Sequence, residues 1–267
     1  MQPGFRPAAV AGMFYPVEPT ELQSMVDGML SAAAPSSPGT AKALIVPHAG
    51  YIYSGPTAAI AYATLNRKRI HRVVLLGPVH RVPVRGLALP EADAFATPLG
   101  TIPLDTAGMQ AIEYLPQVSR NAPAHALEHS LEVQLPFLQR CLDDFTLLPL
   151  AVGDATPEEV AEVLAATWNG EETLILISSD LSHFHPYAEA QRIDAGTADA
   201  IRHFRIPIQH GQACGATPVN GLLLMAAREG MTCRQLDVCN SGDTAGDKNR
   251  VVGYGAFAFY EDDRRVA

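Results

Sequence analysis

The 267-residue chain has only four cysteines, Cys141, Cys214, Cys233 and Cys239, and no two of them form a CxxC pair. That spacing argues against a disulfide framework and a zinc ribbon, and it suits a reducing compartment. Long apolar runs are missing too, since no segment approaches the ~20 residues that span a bilayer. The opening MQPGFRPAAVAGMFYP is broken by proline and glycine before a signal-peptide core can form. A net charge of −9 leaves no general attraction to phosphate backbones or anionic membranes. These absences point to a cytoplasmic protein with neither nucleic acid nor membrane as partner.

Core-forming material is present. Hydrophobic residues make up 48% and charged residues 18%, ordinary globular usage that excludes a disordered or fibrous chain. The length suits one domain over 1–267, and no repeat, low-complexity tract or charged linker divides it.

Short β-rich runs alternate with segments of helical period, which predicts a sheet covered by helices. Strands are expected at Ala43–Val46, Val73–Leu76, Thr146–Leu150, Thr173–Ile177 and Val251–Phe259. Helices are expected at Glu21–Ala33, Pro56–Asn66, Leu131–Leu142, Pro157–Trp168, Ala188–His203 and Val219–Glu229. Thr156 before Pro157 and Glu158 reads as an N-cap with a first-turn proline and acid, and Thr217–Pro218 repeats the signal. Ala34–Thr40 reads as a surface loop, and residues 80–130, broken by Pro83, Pro90, Pro98, Pro103 and Pro116, as loops and short strands.

Three expected strands run directly into histidine-bearing turns: LIVPHAGYIYSG reaches His48, VVLLGPVHR reaches His80, and LILISSDLSHFH reaches Asp180 and His183. Carboxyl ends of strands form the ligand crevice of open α/β sheets, so residues far apart in sequence can meet there. Any one such histidine is most simply a hydrogen-bonded loop residue; three of only nine in the same topological position point to a shared pocket. Gly50, Gly55 and Gly77 would let backbone approach a ligand, and Pro47 and Pro78 would fix the turns, though ordinary turn chemistry explains them equally. In HALEHSLEVQLPFL, His125 and His129 lie one helical turn apart with Glu128 and Glu132 nearby, so His129 and Glu128 are candidates to line the same pocket; a helix start with acids at its positive end is the structural alternative. NSGDTAGDKNRVVGYGAF holds Asp243, Asp247, Lys248 and Arg250 in a glycine-bearing loop, without the spacing of a P-loop. It supplies a carboxylate ligand or is simply a charged turn.

Two imidazoles and a carboxylate make a facial triad with open positions on Fe(II). His48 and His80 would be the imidazoles, with Asp180 and His183 placed to orient a ligand or move a proton. Zinc hydrolysis would use much the same geometry. Serine hydrolysis at Ser178 or Ser179 is disfavoured, because no GxSxG elbow surrounds either.

RPAAVAGMFYP, VPHAGYIYSG, LLGPVH, EHSLEVQLPFL, SSDLSHF and NSGDTAGDKNRVVGYGAFAF, in that order, resemble the Memo family across nearly the whole chain. The resemblance implies a single α/β domain like class III extradiol dioxygenases, with a mixed, mostly parallel central sheet flanked by helices. It implies a site at His48, His80 and the loop before the last strand, with His183 matching the dioxygenase base and Asp180 lining the pocket. Animal members carry a cysteine ligand where counting back from Tyr254 gives Thr244 here. Either Asp243 coordinates instead, giving a harder site suited to iron, or metal binding is weakened or absent; the copper-redox activity proposed for animal relatives is then in doubt. Bacterial and archaeal members resemble protein B of the AmmeMemoRadiSam system, which associates the chain with AMMECR-type and radical SAM proteins.

The expected function is thus a metal-dependent oxidoreductase, dioxygenase-like, with Fe(II) at His48, His80 and Asp243. The alternatives are a peptide- or partner-binding module, in which Arg81, Lys248 and Arg250 meet an anion, and a metal-assisted hydrolase using zinc.

Overall fold

Ala43–Val46 and Thr173–Ser178 are buried along their whole length, which is why both carry Val, Ile and Leu on successive residues rather than on alternate ones. In a computed structural model that describes residues 4–33 and 41–261, they pair in parallel. Arg72–Pro78 pairs in parallel with Thr173–Ser178 on one side and with Thr146–Val152 on the other. These four strands are the centre of a nine-stranded sheet.

The flanks make the sheet mixed. Val251–Tyr260 runs antiparallel to Ala43–Val46, and both His183–His185 and Thr232–Asn240 run antiparallel to Val251–Tyr260. At the other edge, Leu87–Leu89 is antiparallel to Thr146–Val152 and parallel to Val118–Arg120. Phe5–Arg6, Ala94–Thr97 and Gly100–Pro103 form a separate three-stranded sheet.

Helices cover the sheet. Pro19–Ala32 packs on Tyr51–Tyr62 and Leu135–Cys141, while Tyr187–Arg202 lies against Thr232–Asn240 and Val251–Tyr260. Pro157–Thr167 packs on Ala216–Arg228, and a Cβ at Gly221 would come within 2.3 Å of Val160 Cγ1, so glycine is what lets these two helices approach. Thr156 closes a capping box with Glu159 at the start of Pro157–Thr167, as its sequence suggests.

The architecture is the α/β one expected, and the five expected strands are present with ends moved by up to two residues. Three helices differ from expectation. The Pro56 helix begins earlier, at Tyr51, and carries the proline inside. Leu131–Leu142 is two helices, His129–Glu132 and Leu135–Cys141, because Pro136 has no N–H to give the Glu132 carbonyl. Thr217–Pro218 falls in the first turn of Ala216–Arg228, whose cap is Gly215 with no side-chain bond. Thr232–Asn240 is a strand the composition hides: TCRQLDVCN is polar and half-exposed, and it pairs along Val251–Tyr260. The Ala34–Thr40 loop lies outside the described residues. Among those described, no helix is long and apolar enough to cross a membrane.

Strand order sets up the site. Ala43–Val46, Thr173–Ser178 and Arg72–Pro78 are consecutive neighbours, all parallel. Their carboxyl ends therefore open side by side, directly before His48, Asp180 and His80.

Candidate metal centre

His48 leaves its strand after Pro47 and is almost wholly buried, 2% exposed. Its backbone N–H donates to Asp180 Oδ1 at 2.7 Å, and its Nδ1 lies 2.9 Å from Ser178 Oγ. The Ser178 hydroxyl gives its single proton to the Ser130 carbonyl at 2.6 Å and accepts from Gln134 Nε2 at 2.8 Å. Gln134 is itself oriented, donating to the Pro47 carbonyl and accepting from the Tyr62 hydroxyl. Ser178 can therefore only accept from His48. The proton sits on Nδ1, and Nε2 presents its lone pair.

His80 is fixed in the same tautomer by a carboxylate. Glu128 accepts the His80 backbone N–H at 2.7 Å and its Nδ1–H at 2.9 Å, and also the Ser130 N–H. Burial alone would raise the Glu128 carboxyl, but the hydrogen bonds from the His80 ring and Ser130 and the nearby imidazole outweigh it, bringing it down to about 2. This acid, 2% exposed, is a positioning residue: it holds Nδ1 so that Nε2 faces out, the arrangement that aims metal-bound imidazoles. The segment can pack this closely because Gly77 has no side chain; a Cβ there would lie 2.7 Å from Ser130 Oγ.

The His48 and His80 rings stand 5.3 Å apart, centroid to centroid, and His129 is 4.4 Å from His80 and 5.4 Å from His48. Burial, followed by the mutual repulsion of these imidazoles, holds His48 well below its ordinary pKa. The same two causes bring His129 down to about 4. At neutral pH both rings are uncharged and can act as ligands.

Asp180 and His183 adjoin this cluster. Asp180 Oδ2 is 4.0 Å from His48 Nε2. Burial pushes its carboxyl up to about 7 against the opposing backbone N–H bonds of His48 and Ala49, so it can carry a proton near neutrality. His183 donates Nδ1–H to the Leu181 carbonyl at 2.9 Å, which leaves Nε2 as a free base; burial lowers its pKa. His48, His129, Asp180 and His183 line one cavity of about 560 Å³, together with Phe14, Tyr53, Asp247, Arg250 and Tyr254. A cavity of that size is ample for a small aromatic ligand.

Among the described residues, two sets of donor atoms are close enough to share a cation, each within 4.8 Å: His48, His80 and Cys214, and His80, Glu128 and His129. In the second set the carboxylate already accepts three N–H bonds. In the first, both imidazoles keep an Nε2 lone pair. Cys214 places Sγ 3.2 Å from His48 Nε2 and borders a neighbouring cavity with Pro78 and Val79. Burial and the Asp180 charge push its thiol up to about 12. Two soft-to-borderline nitrogens and a sulfur fit a divalent transition metal.

The expected carboxylate ligand is not in either set. Asp243 Oδ2 accepts the Asn240 N–H at 3.0 Å and Oδ1 accepts the Tyr187 hydroxyl, so the capping box of the short turn Ser241–Asp243 directs it into another cavity beside Asp194 and Cys239. Thr244, expected at the pocket, is exposed and gives its hydroxyl to the Ser241 carbonyl. That loop contributes Asp247 and Arg250 to the cavity instead. His125 does not join His129: Nε2 donates to the Ala88 carbonyl at 2.8 Å, and its ring packs against Phe95. Cys214 and Gln134 were not legible as site residues, and Ser178 only as a disfavoured nucleophile rather than as the acceptor for His48. Cys214 follows no strand, and the other two act through hydrogen bonds that a linear pattern does not display.

The Memo-like protein family matches residues 6–258. A MEMO1 family protein of Aquifex aeolicus is 37% identical over 267 residues, covering 93% of this chain and 97% of its own. One from Archaeoglobus fulgidus is 35% identical, covering 94% and 97%. Among solved structures, an uncharacterized protein of Escherichia coli K12, JW3007, is similar with a TM-score of 0.51 and 12% identity, over 80% of this chain and 98% of that one; this likeness concerns the fold alone. With a family match over nearly its full length and relatives above one-third identity on both sides, the chain belongs to the Memo-like family.

Proposed function

We propose that the chain is a metal-dependent oxidoreductase, dioxygenase-like, whose cofactor is a divalent metal, Fe(II) in this reading, held through His48 Nε2 and His80 Nε2. The observation that carries this is the tautomer pair: Ser178 and Glu128 each take an Nδ1–H, leaving two lone pairs within 4.8 Å of each other, the His48 ring at the cavity wall. When bound, such a metal supplies Lewis-acid and one-electron chemistry.

The chain's own residues do the rest. His183 Nε2 accepts a proton from an acidic substrate hydroxyl, and Asp180, close to half-protonated at neutral pH, stores or returns one. Phe14 and Tyr53 line the cavity with apolar surface. Arg250, stacked 5.0 Å over the Phe184 ring, offers its charge to an anionic substituent at the cavity edge.

Oxygen uptake by protein loaded anaerobically with Fe(II), tested against a panel of catechols, checks this reading. Uptake is expected with at least one of them, with a loss of roughly 10²–10⁴-fold in His183→Gln while bound iron is retained. Iron-replete protein that consumes no oxygen with any catechol removes the oxidoreductase reading. Arg250 and Phe184 favour a second reading, a module that uses the same cavity to hold an anionic peptide of a partner such as an AMMECR-type or radical SAM protein. Partner capture that survives His48→Ala supports it.

A further inference from the structure

We infer that the hydroxyls of Ser241 and Tyr254 form a hydrogen-bond donor site on the cavity wall and hold an anionic oxygen of the ligand there. The inference deepens the oxidoreductase reading and takes its ligand class, a phenolate, from it.

Position comes from the last strand. Tyr254 is 2% exposed and lines the cavity with His48, Asp180 and His183. Alternate residues of a strand face opposite ways, and the other face is full on both sides of this tyrosine. A Cβ at Gly253 would sit 2.0 Å from Asp194 Oδ2, and one at Gly255 2.6 Å from Phe257 Cε2. The backbone here is tied to the segment that carries Asp180 and His183: the Gly253 N–H donates to the Ser182 carbonyl at 2.8 Å, and the Leu181 N–H donates to the Gly253 carbonyl at 2.8 Å. Ser241 opens the turn Ser241–Asp243, is buried, and lines the same cavity. Its Oγ accepts the Val252 N–H at 3.1 Å, which fastens it to the same strand.

A count of protons gives the rest. The Ser241 hydroxyl is the hydrogen-bonding neighbour of the Tyr254 phenol. Two hydroxyls in contact own two protons and share one of them. The Val252 N–H occupies a lone pair of Ser241 and takes no proton, and among the described residues neither hydroxyl makes a further hydrogen bond. Whichever oxygen donates to the other, one O–H is left over, and because both residues line the cavity it is available to a ligand. Burial, followed by the Asp180 charge, raises the phenol above its ordinary pKa, so it remains a donor at neutral pH. His183 and this pair then divide the work. The substrate O–H bond breaks, its proton passes to His183 Nε2, and the electron pair left on the oxygen accepts the spare O–H. A hydrogen bond to an ionised acceptor belongs to the strong class.

Binding of 4-nitrophenol to chelator-treated, metal-free protein at pH 7 tests this without turnover, because the anion and the neutral phenol absorb at different wavelengths. His48, His129, Asp180, His183, Asp247 and Arg250 also line the cavity, so all proteins are compared at that one pH. Wild type is expected to enrich the anion over its share in free solution. The double variant Ser241→Ala, Tyr254→Phe is expected to lower the bound anion-to-neutral ratio by roughly 10-fold, the worth of about one hydrogen bond to a charged group. It is expected to bind nitrobenzene, the same ring without the hydroxyl, as wild type does. Each single variant keeps one O–H but loses the neighbour that polarises it, so each is expected to retain part of the enrichment; this arm stands even if the double variant fails to fold. A ratio equal to that of wild type in the double variant or in both single ones overturns the donor site. So does nitrobenzene binding that falls in step with the ratio, or wild type that fails to enrich the anion or to bind 4-nitrophenol. None of these outcomes involves metal or oxygen, so the oxidoreductase reading stands or falls separately, on oxygen uptake with Fe(II).

Discussion

Glu128 and Glu132 lie four residues apart in EHSLE, and both are buried, at 2% and 0% exposure, yet they serve different ends. Glu132 is satisfied from all sides: Arg6 Nη1 at 2.7 Å, the Ala9 and Val10 N–H groups, and the Tyr15 hydroxyl at 2.6 Å. Arg6 in turn donates to the carbonyls of His125 and Glu128. This network fastens the amino-terminal RPAAVAGMFYP segment to the EHSLE turn, and every donor and acceptor in it is committed. Glu128 instead aims a ring, leaving the far nitrogen of that ring uncommitted. The histidines differ by placement: His125 gives its Nε2–H to the Ala88 carbonyl and keeps a buried, unpartnered Nδ1 by itself, while His129 faces His48 and His80. A buried charge or a single uncommitted lone pair is thus not itself the mark of a site. Several uncommitted lone pairs that converge, aligned by committed neighbours, are.

The sharpest way to break this comparison is at Glu132. Glu132→Ala leaves Arg6 buried without its partner and is expected to cost about 3–5 kcal/mol, read from urea unfolding, while the protein that remains folded binds metal as before. A fall in metal affinity with stability unchanged would reverse the roles assigned to the two acids.

Next in size is an acid limb at His125. Burial brings this histidine down to about 4, against about 6.5 in an unfolded chain. Between those values the unfolded chain binds the proton first, so stability rises with pH. The contribution is complete above about pH 6.5 and falls by up to roughly 3 kcal/mol as pH drops to about 4. His125→Gln is expected to show a shallower loss of unfolding free energy between pH 7 and pH 4.5; an unchanged limb would mean that other groups carry it.

Smaller effects belong to aiming. Glu128→Gln is expected to weaken metal binding by roughly 10–100-fold, and Asp243→Asn by less than about 3-fold, within ordinary scatter. Equal losses in the two variants, measured by competition with a chelator dye, would restore Asp243 to the metal centre.

The sheet centre was legible because Ala43–Val46 and Thr173–Ser178 are apolar on both faces, and three histidine turns after such runs pointed to the rim. Legibility ended where geometry depends on bonds between distant segments. Nothing local marks Cys214 as the neighbour of His48, 166 residues away, or Ser178 as the group that sets its tautomer. Asp243 lies apart from the histidine cluster for a related reason: a carboxylate in a loop at the sheet rim has the chemistry of a ligand, but the Asn240 N–H and Tyr187 hydroxyl that hold it are invisible in the linear chain. The Arg6–Glu132 network shows the converse, since residues in two family motifs turn out to bind each other rather than a ligand.

Metal content tests the central claim most directly. Protein purified without oxygen and analysed for transition metals should hold about one equivalent per chain, and His48→Ala, His80→Ala should hold essentially none while unfolding at a similar urea concentration. Equal metal in the two proteins, or none in the wild type even after incubation with Fe(II), would contradict the assignment of these two imidazoles as a metal centre.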